Sequence, residues 1–247
     1  MTRLFFHLPH LLAVALAAGR LLTSAAAADS PEKPVPIWTG SATNAQGMVL
    51  AKIVVEAQET PDLADWAKRA GQLCADWYPK ISALLASEGF TPPDQVTLRF
   101  RADMKGVAAA SGNVINFAAG YVRGHTNDWG MVVHELTHVV QSYPPGGPGW
   151  LVEGIADYIR LSHFEPSAPK PRIHPDKASY RDAYKTTAIF LAWVEKRHDA
   201  KLVSKLNAAL RQRKYSPELF KDATGRTLDE LWSDFTADLR LRQQGGK

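Results

Sequence analysis

Two histidines and a glutamate lie within five consecutive residues of an apolar stretch. His134, Glu135 and His138 form the pattern H-E-x-x-H, flanked by Met, Val and Leu. Residues four apart on a helix project from the same face, so His134 and His138 can hold one Zn²⁺ between adjacent turns. Glu135 can then act as general base toward a water that the metal activates. Burying these three side chains costs free energy unless something binds them, so the pattern predicts a metal site rather than two hydrogen-bonded core histidines.

A second helical segment is expected to supply the third ligand. Residues 142–149 read S-Y-P-P-G-G-P-G, which ends the first helix, and helical spacing resumes over residues 150–160. A catalytic zinc site needs three protein ligands and one open position, and Glu153 is the best candidate for the third. Asp157, one turn later on the same face, is expected to accept the free ring N–H of a ligating histidine and to fix its tautomer.

The spacing leaves other ligand sets open. Asp157 could be the ligand with Glu153 in the supporting role, because both project from the same helix face. His163 is a third possibility, less favoured because it falls at the end of the helix. The pattern lacks the closely following Gly and third His of a metzincin.

The chain from residue 94 to residue 238 resembles a known family. The segments that carry the resemblance are D-Q-V-T-L at 94–98, V-V-H-E-L-T-H-V-V-Q at 132–141, L-V-E-G-I-A-D-Y-I-R-L at 151–161, Y-K-T-T-A-I-F-L at 184–191 and T-L-D-E-L-W-S-D-F at 227–235. They are similar to the basic secretory protein family, also called the peptidases of plants and bacteria. The resemblance implies a secreted zinc-dependent peptidase of the zincin type, with His134, Glu135 and His138 in the roles described above.

Hydrolysis of an amide develops negative charge on the carbonyl oxygen, which a hydrogen-bond donor opposite the metal would stabilise. Tyr184 is the candidate for this donor because it opens the fourth of the family-like segments. Tyr158 and Tyr180 are its rivals, and packing of Tyr184 with its hydroxyl at the surface is the alternative.

Hydrophobic periodicity predicts an α+β fold. Alternation predicts strands at residues 49–57 and 96–101, and a hairpin is expected from 106–110 and 114–117. Most of the remaining chain has helical spacing. We therefore expect one mainly helical, zincin-like domain over residues 49–242, with a small antiparallel sheet beside the H-E-x-x-H helix. An extended substrate could add a strand to the sheet edge, which is expected at residues 113–119.

The N-terminus is typical of a secretory signal peptide. Residues 1–28 contain a short apolar core and end in Ala-Ala-Ala, while residues 29–48 are expected to be an extended lead-in. The uninterrupted apolar run is too short for a stable membrane anchor. The protein is therefore expected to be secreted or periplasmic. Cys74 is the only cysteine, so no intramolecular disulfide can form, and a small buried thiol is expected.

Together these features predict a secreted zinc peptidase that acts on peptides or proteins and is a monomer. The net charge of the whole chain is +4, and the leader carries two of the arginines and no acidic residue. The mature charge is too small and too scattered to indicate nucleic-acid binding. The alternatives are a secreted, non-catalytic defence or binding protein that keeps a metal site, and a zinc amidase that acts on cell-wall peptides. Glu135 argues against the binding protein, since a binder needs no general base.

Overall fold

A computed structural model of the chain describes residues 34–245, and within them it has eight α-helices and a five-stranded sheet. The strands are β1 (Trp38–Thr43), β2 (Val49–Glu56), β3 (Gln95–Arg101), β4 (Ala108–Ser111) and β5 (Val114–Ala118). The helices are α1 (Ala64–Leu84), α2 (Ala119–Gly124), α3 (Trp129–Gln141), α4 (Gly149–Ile159), α5 (Tyr184–Arg197), α6 (Leu202–Arg211), α7 (Glu218–Thr224) and α8 (Leu228–Gly245). The predicted α+β, mainly helical class is confirmed. The signal peptide predicted at residues 1–28 lies outside the described residues.

The sheet is mixed, so the expectation of an antiparallel sheet was wrong. Its strand order is β1-β2-β3-β5-β4, with antiparallel pairs at the two ends and parallel pairs between β2 and β3 and between β3 and β5. The connection from β2 to β3 runs through α1, and a helical crossover returns the chain to the end of the sheet where the previous strand began. Strand direction is decided by such connections, which hydrophobic alternation does not report.

The free edge of the sheet is β4 rather than the predicted residues 113–119. β5 lies between β3 and β4 and is hydrogen-bonded on both sides. The hairpin was predicted at the right place. Its second strand, β5, pairs with β3, so its first strand, β4, becomes the edge of the sheet. Ile115 on β5 is fully buried, as expected for an interior strand. The other edge is β1, which lies in the segment expected to be an extended lead-in.

The helix α3, which carries the H-E-x-x-H pattern, is buried between the other elements. It contacts α1, α4, β4 and β5, and most of its residues are buried. α1 covers the sheet on the side of β1 and β2, and Cys74 on α1 is completely buried, as predicted. Asp128 is the N-cap of α3, because its side chain accepts a hydrogen bond from the main-chain N–H of Met131.

Arg211 of α6 holds the other end of α3. Its guanidinium donates to the carbonyl oxygen of Val140 at 2.9 Å and to that of Gln141 at 3.2 Å. It also donates to the carbonyl oxygen of Leu85 and to Ser87 Oγ, at the end of α1. The last carbonyls of a helix have no partner within it, so one side chain satisfies the ends of two helices.

No helix among residues 34–245 is long and apolar enough to cross a membrane.

Candidate metal centre

His134 and His138 meet a glutamate from the next helix. Their Nε2 atoms are 3.0 Å apart, and Glu153 Oε2 lies 3.1 Å from the first and 3.3 Å from the second. α3 places the two imidazoles on one face, and the Pro/Gly turn at residues 142–148 returns the chain so that α4 packs against that face. The three residues form a group that could hold a metal ion.

Each histidine has an acceptor on its other ring nitrogen. Asp157 Oδ1 lies 2.8 Å from His134 Nδ1, and Gln141 Oε1 lies 2.7 Å from His138 Nδ1. With the proton on Nδ1 in both rings, each Nε2 keeps its lone pair toward the shared space. Two nitrogen lone pairs and a carboxylate oxygen then converge at a distance where they repel one another unless a cation lies between them.

The electrostatics of this group agree with a site for positive charge. Burial opposes the charged form of His134, but hydrogen bonds to Asp157 and Glu153 outweigh it and raise its pKa to about 9. Burial also opposes the charged form of Glu153, and hydrogen bonds from His134 and His138 lower its pKa to about 2. Both shifts come from the hydrogen bonds between the histidines and the carboxylates, which favour positive charge on the His134 ring and negative charge on Glu153.

Glu135 lies beside this group without belonging to it. Its side chain is almost buried and lines the same cleft as His134 and His138. Burial raises the pKa of its carboxyl, and the charges of the two histidines act in the opposite direction. A carboxyl whose pKa is raised above its usual value is better suited to accept and return a proton.

The other predicted ligands lie elsewhere. Asp157 contacts the Nδ1 side of His134, away from the point where the three ligand atoms meet. His163 packs its ring edge to face on Tyr158 and is not part of the metal-binding group found among residues 34–245. The geometry therefore favours Glu153 over Asp157 and His163 as the third ligand.

The three candidate tyrosines differ in position. Tyr184 lines the cleft, is 54% exposed, and stacks on His134 with ring centroids 6.0 Å apart. Tyr158 donates its hydroxyl to Glu195 at 2.5 Å and Tyr180 donates to Asp229 at 3.1 Å, and neither lines the cleft. Of the three, Tyr184 is therefore the one whose hydroxyl a molecule in the cleft can reach.

Tyr184 is also held in an unusual backbone conformation. Its φ is +47° and that of Ala183 is +62°, both in the left-handed region that costs a non-glycine residue free energy. The strained pair starts α5 and turns the Tyr184 ring toward His134.

A cleft of about 970 Å³ surrounds the metal-binding group. The edge strand β4 forms one wall, and the Tyr184 segment forms another. Tyr121, Asp128, Met131 and Arg160 line the cleft on the N-terminal side of the histidines along α3, and Gln141, Tyr143 and Val152 line it on the C-terminal side. The cleft runs past the site in both directions along α3, as a chain-like ligand requires.

A family model described as peptidase of plants and bacteria matches residues 64–235, which is well over half of the chain. The chain belongs to this family. No curated protein matches the chain. The matched residues include α3, α4 and the start of α5, so the candidate metal-binding group and Tyr184 lie inside the part of the chain that the family model matches.

Two residues of this site were not predicted from the sequence. Gln141 is the last residue of the H-E-x-x-H segment, and its position three residues after His138 places it on the same helix face. Arg160 is the last residue of the second helical segment. Its partner Asp128 is 32 residues earlier, so no local spacing indicated the pair.

Gln141 is expected to position His138. The side chain is 1% exposed, and its Nε2 donates to the carbonyl oxygen of Val152 at 3.0 Å while Oε1 faces His138. Gln141→Leu removes both contacts, and we expect zinc affinity to fall about 10- to 100-fold, as for other partners of ligating histidines. Competition with a chromophoric chelator measures the affinity.

Gln141→Glu separates the two contacts, because it keeps the acceptor for His138 and loses the donor to Val152. We expect this variant to bind zinc more tightly than the leucine variant does. Gln72→Leu, which changes an exposed glutamine on α1, is the matched control. Equal zinc affinity in the wild type and Gln141→Leu would show that Gln141 does not support the ligand.

Proposed function

We propose that the protein is a secreted zinc-dependent peptidase that uses Glu135 as general base. The observation that carries this proposal is the convergence of His134 Nε2, His138 Nε2 and Glu153 Oε2 in a cleft that Glu135 also lines. Membership of a family described as peptidases gives the reaction class.

The donor set fits zinc. Two imidazole nitrogens and one carboxylate oxygen are a known set for catalytic zinc. A tetrahedral ion with bonds of about 2.0–2.1 Å to nitrogen holds its ligand atoms roughly 3.3 Å apart. The three atoms here are separated by 3.0, 3.1 and 3.3 Å. Small rotations of side chains that are already in place would complete the site.

The residues of the chain then divide the chemistry between them. Zinc, when bound, would supply a Lewis acid that polarises the substrate carbonyl and lowers the pKa of water. Glu135 takes a proton from the attacking water and returns it to the leaving amine. Asp157 and Gln141 keep the imidazole protons on Nδ1, and Tyr184 donates a hydrogen bond to the carbonyl oxygen as negative charge develops.

The edge strand β4 is suited to bind an extended peptide. The main-chain N–H of Ala118 donates to the carbonyl oxygen of Val107 at 3.0 Å. These two residues are the neighbours of Phe117 and Ala108, which face each other across β5 and β4. In an antiparallel ladder such a pair is not hydrogen-bonded, so the N–H and C=O of Ala108 and Ala110 face away from β5. Ala108 and Ala110 both line the cleft beside Glu135, which places this open side at the cleft.

We expect a substrate peptide to show alternating sensitivity to N-methylation. Every second N–H of an extended chain faces the neighbouring strand, so methyl groups on those nitrogens remove a hydrogen bond to Ala108 or Ala110. A scan of singly N-methylated peptides should raise KM at positions two apart and leave the positions between them little changed. A flat profile would count against strand addition at β4.

A metal and proteolysis assay tests the proposed function. The purified protein is analysed for zinc, then incubated with casein alone, with a chelator, and with zinc restored after the chelator. We expect hydrolysis that the chelator abolishes and zinc restores. Bound zinc without casein hydrolysis would indicate the non-catalytic binding protein or the amidase, and an assay with cell-wall peptides would distinguish these two. A purified protein without bound zinc would contradict the proposed metal site.

Export is part of the same proposal. We expect the mature protein to begin at Asp29, after the Ala-Ala-Ala segment. N-terminal sequencing of the protein recovered outside the cytoplasm would test this start.

A further inference from the structure

Arg160 is fixed in the cleft by three neighbours. It begins a π-helical turn, Arg160–Phe164, one turn after Asp157. Its Nη2 donates to Asp128 Oδ1 at 2.7 Å and its Nε donates to Glu165 Oε2 at 3.0 Å. The guanidinium lies against α3 at Gly130, where an added Cβ would be 2.2 Å from Arg160 Nε. Only a glycine at residue 130 therefore leaves room for the arginine in this position.

Part of the guanidinium remains available for a ligand. Arginine has five N–H donors, and the two carboxylates engage two of them. The other three have no hydrogen-bond partner among residues 34–245, and none of them is a fully buried unpaired atom. Because Arg160 lines the cleft beside Met131, these donors can reach a molecule that lies along α3.

The charge around Arg160 decides which acceptor it can hold. Asp128 and Glu165 together carry two negative charges against one positive charge, so the group is net negative when both are ionised. A third carboxylate would be repelled at this short range, whereas a neutral carbonyl oxygen would not. The nearby Lys170 does not line the cleft, and it donates to the main-chain carbonyls of Leu161 and Glu165.

A bound metal ion would not reverse this preference. The two positive charges of the ion would be balanced by the negative charges of Glu153 and Asp157, and Glu135 adds a further negative charge. Lys185 also lines the cleft, but it is exposed, so solvent and salt screen its charge. The described cleft therefore offers no buried, uncompensated cation to a free carboxylate.

We propose that Arg160 binds a main-chain carbonyl oxygen of the substrate, so that the site takes internal segments of a peptide and rejects a free C-terminal carboxylate at this position. The inference rests on the proposed peptidase function and narrows its substrate class to peptides whose chain continues past Arg160. Asp128, Glu165 and Gly130 act through Arg160: they hold the guanidinium, and the two acids set its net charge.

Peptide binding to the zinc-loaded Glu135→Gln variant tests the proposal without turnover. The probes are one peptide series shortened residue by residue from its C-terminus, each length made once as the C-terminal amide and once as the free acid. At the lengths that bring the C-terminus to Arg160, we expect the amide to bind about 10-fold more tightly than the acid. Longer pairs should bind equally, because their carboxylates lie beyond the arginine.

Two further substitutions, each made in that variant, show whether the preference comes from Arg160 and its acids. Glu165→Gln leaves the guanidinium in place and removes one negative charge, so the penalty on the free acids should shrink. Arg160→Met should weaken the amides about 10-fold, and Arg240→Met, which alters an arginine paired with Asp176 outside the cleft, is the control. If the methionine variant fails to fold, the Glu165→Gln result still decides.

The outcomes separate this inference from the proposed function. Free acids that bind as tightly as amides at every length, or an acid penalty unchanged by Glu165→Gln, would overturn the role of Arg160 and leave the peptidase intact. If no peptide of either kind binds and the wild type does not hydrolyse casein, the proposed function and the inference both fail.

Discussion

Replacing Glu135 with glutamine is expected to abolish peptide hydrolysis while the protein keeps its zinc. The three ligand atoms belong to His134, His138 and Glu153, so the substitution leaves the metal-binding group intact. It removes the carboxylate that accepts the proton from water, and a positioned general base contributes about 10²- to 10⁴-fold to the rate. The variant should therefore show wild-type zinc content and a kcat reduced by at least about 100-fold.

The geometry around Glu135 makes this substitution conservative. Glutamine has nearly the same shape and volume, so it fits the same buried position beside the two histidines. Thermal unfolding should be close to that of the wild type. Glu59→Gln, which changes an exposed glutamate paired with Arg101, controls for the loss of one negative charge. Substantial hydrolysis by the Glu135→Gln protein would rule out its assignment as general base.

Glu153→Ala is expected to lose zinc, and Asp157→Ala is expected to weaken its binding less. Glu153 Oε2 lies at the meeting point of both Nε2 atoms, whereas Asp157 touches only the far nitrogen of His134. Removing a partner of a ligating histidine typically costs 10- to 100-fold in metal affinity. Loss of the ligand itself should exceed this range, to more than about 100-fold. Zinc titration with a competing chelator orders the two variants.

Asp157→Asn provides the matched comparison for the second site. Its amide oxygen can still accept from His134 Nδ1, as that of Gln141 does for His138, so zinc affinity should fall less than in Asp157→Ala. The opposite order, with Asp157→Ala the weaker binder and Glu153→Ala nearly unaffected, would favour the arrangement in which Asp157 is the ligand.

The two histidines have partners of different chemical type. Asp157 offers a carboxylate and Gln141 a neutral amide, although each holds its histidine at Nδ1. A second carboxylate at residue 141 would add negative charge to a group that already contains Glu153 and Asp157. The neutral amide of Gln141 orients His138 without that addition.

Features that depend on residues close together in the sequence were predicted well. The pairing of His134 with His138 needs only the helical repeat of four residues, and the structure places their Nε2 atoms 3.0 Å apart. The end of α3 before the Pro/Gly turn follows from the residues directly after it, which cannot continue a helix. The alternation that predicted β2, β3 and the hairpin is equally local.

Tertiary structure alone decided the features that join distant segments. Parallel pairing of β3 with β2 and β5, and the position of β4 at the edge, depend on how connections cross the sheet. Glu153 and Asp157 project from the same face of α4, so the sequence alone does not show which of them lies at the two Nε2 atoms. The packing of α4 against α3 decides this. Arg160 meets Asp128 only because Gly130 leaves room for it. Hydrophobic periodicity indicates which face of a helix or strand is buried. Which other element packs against that face depends on the packing of the whole chain.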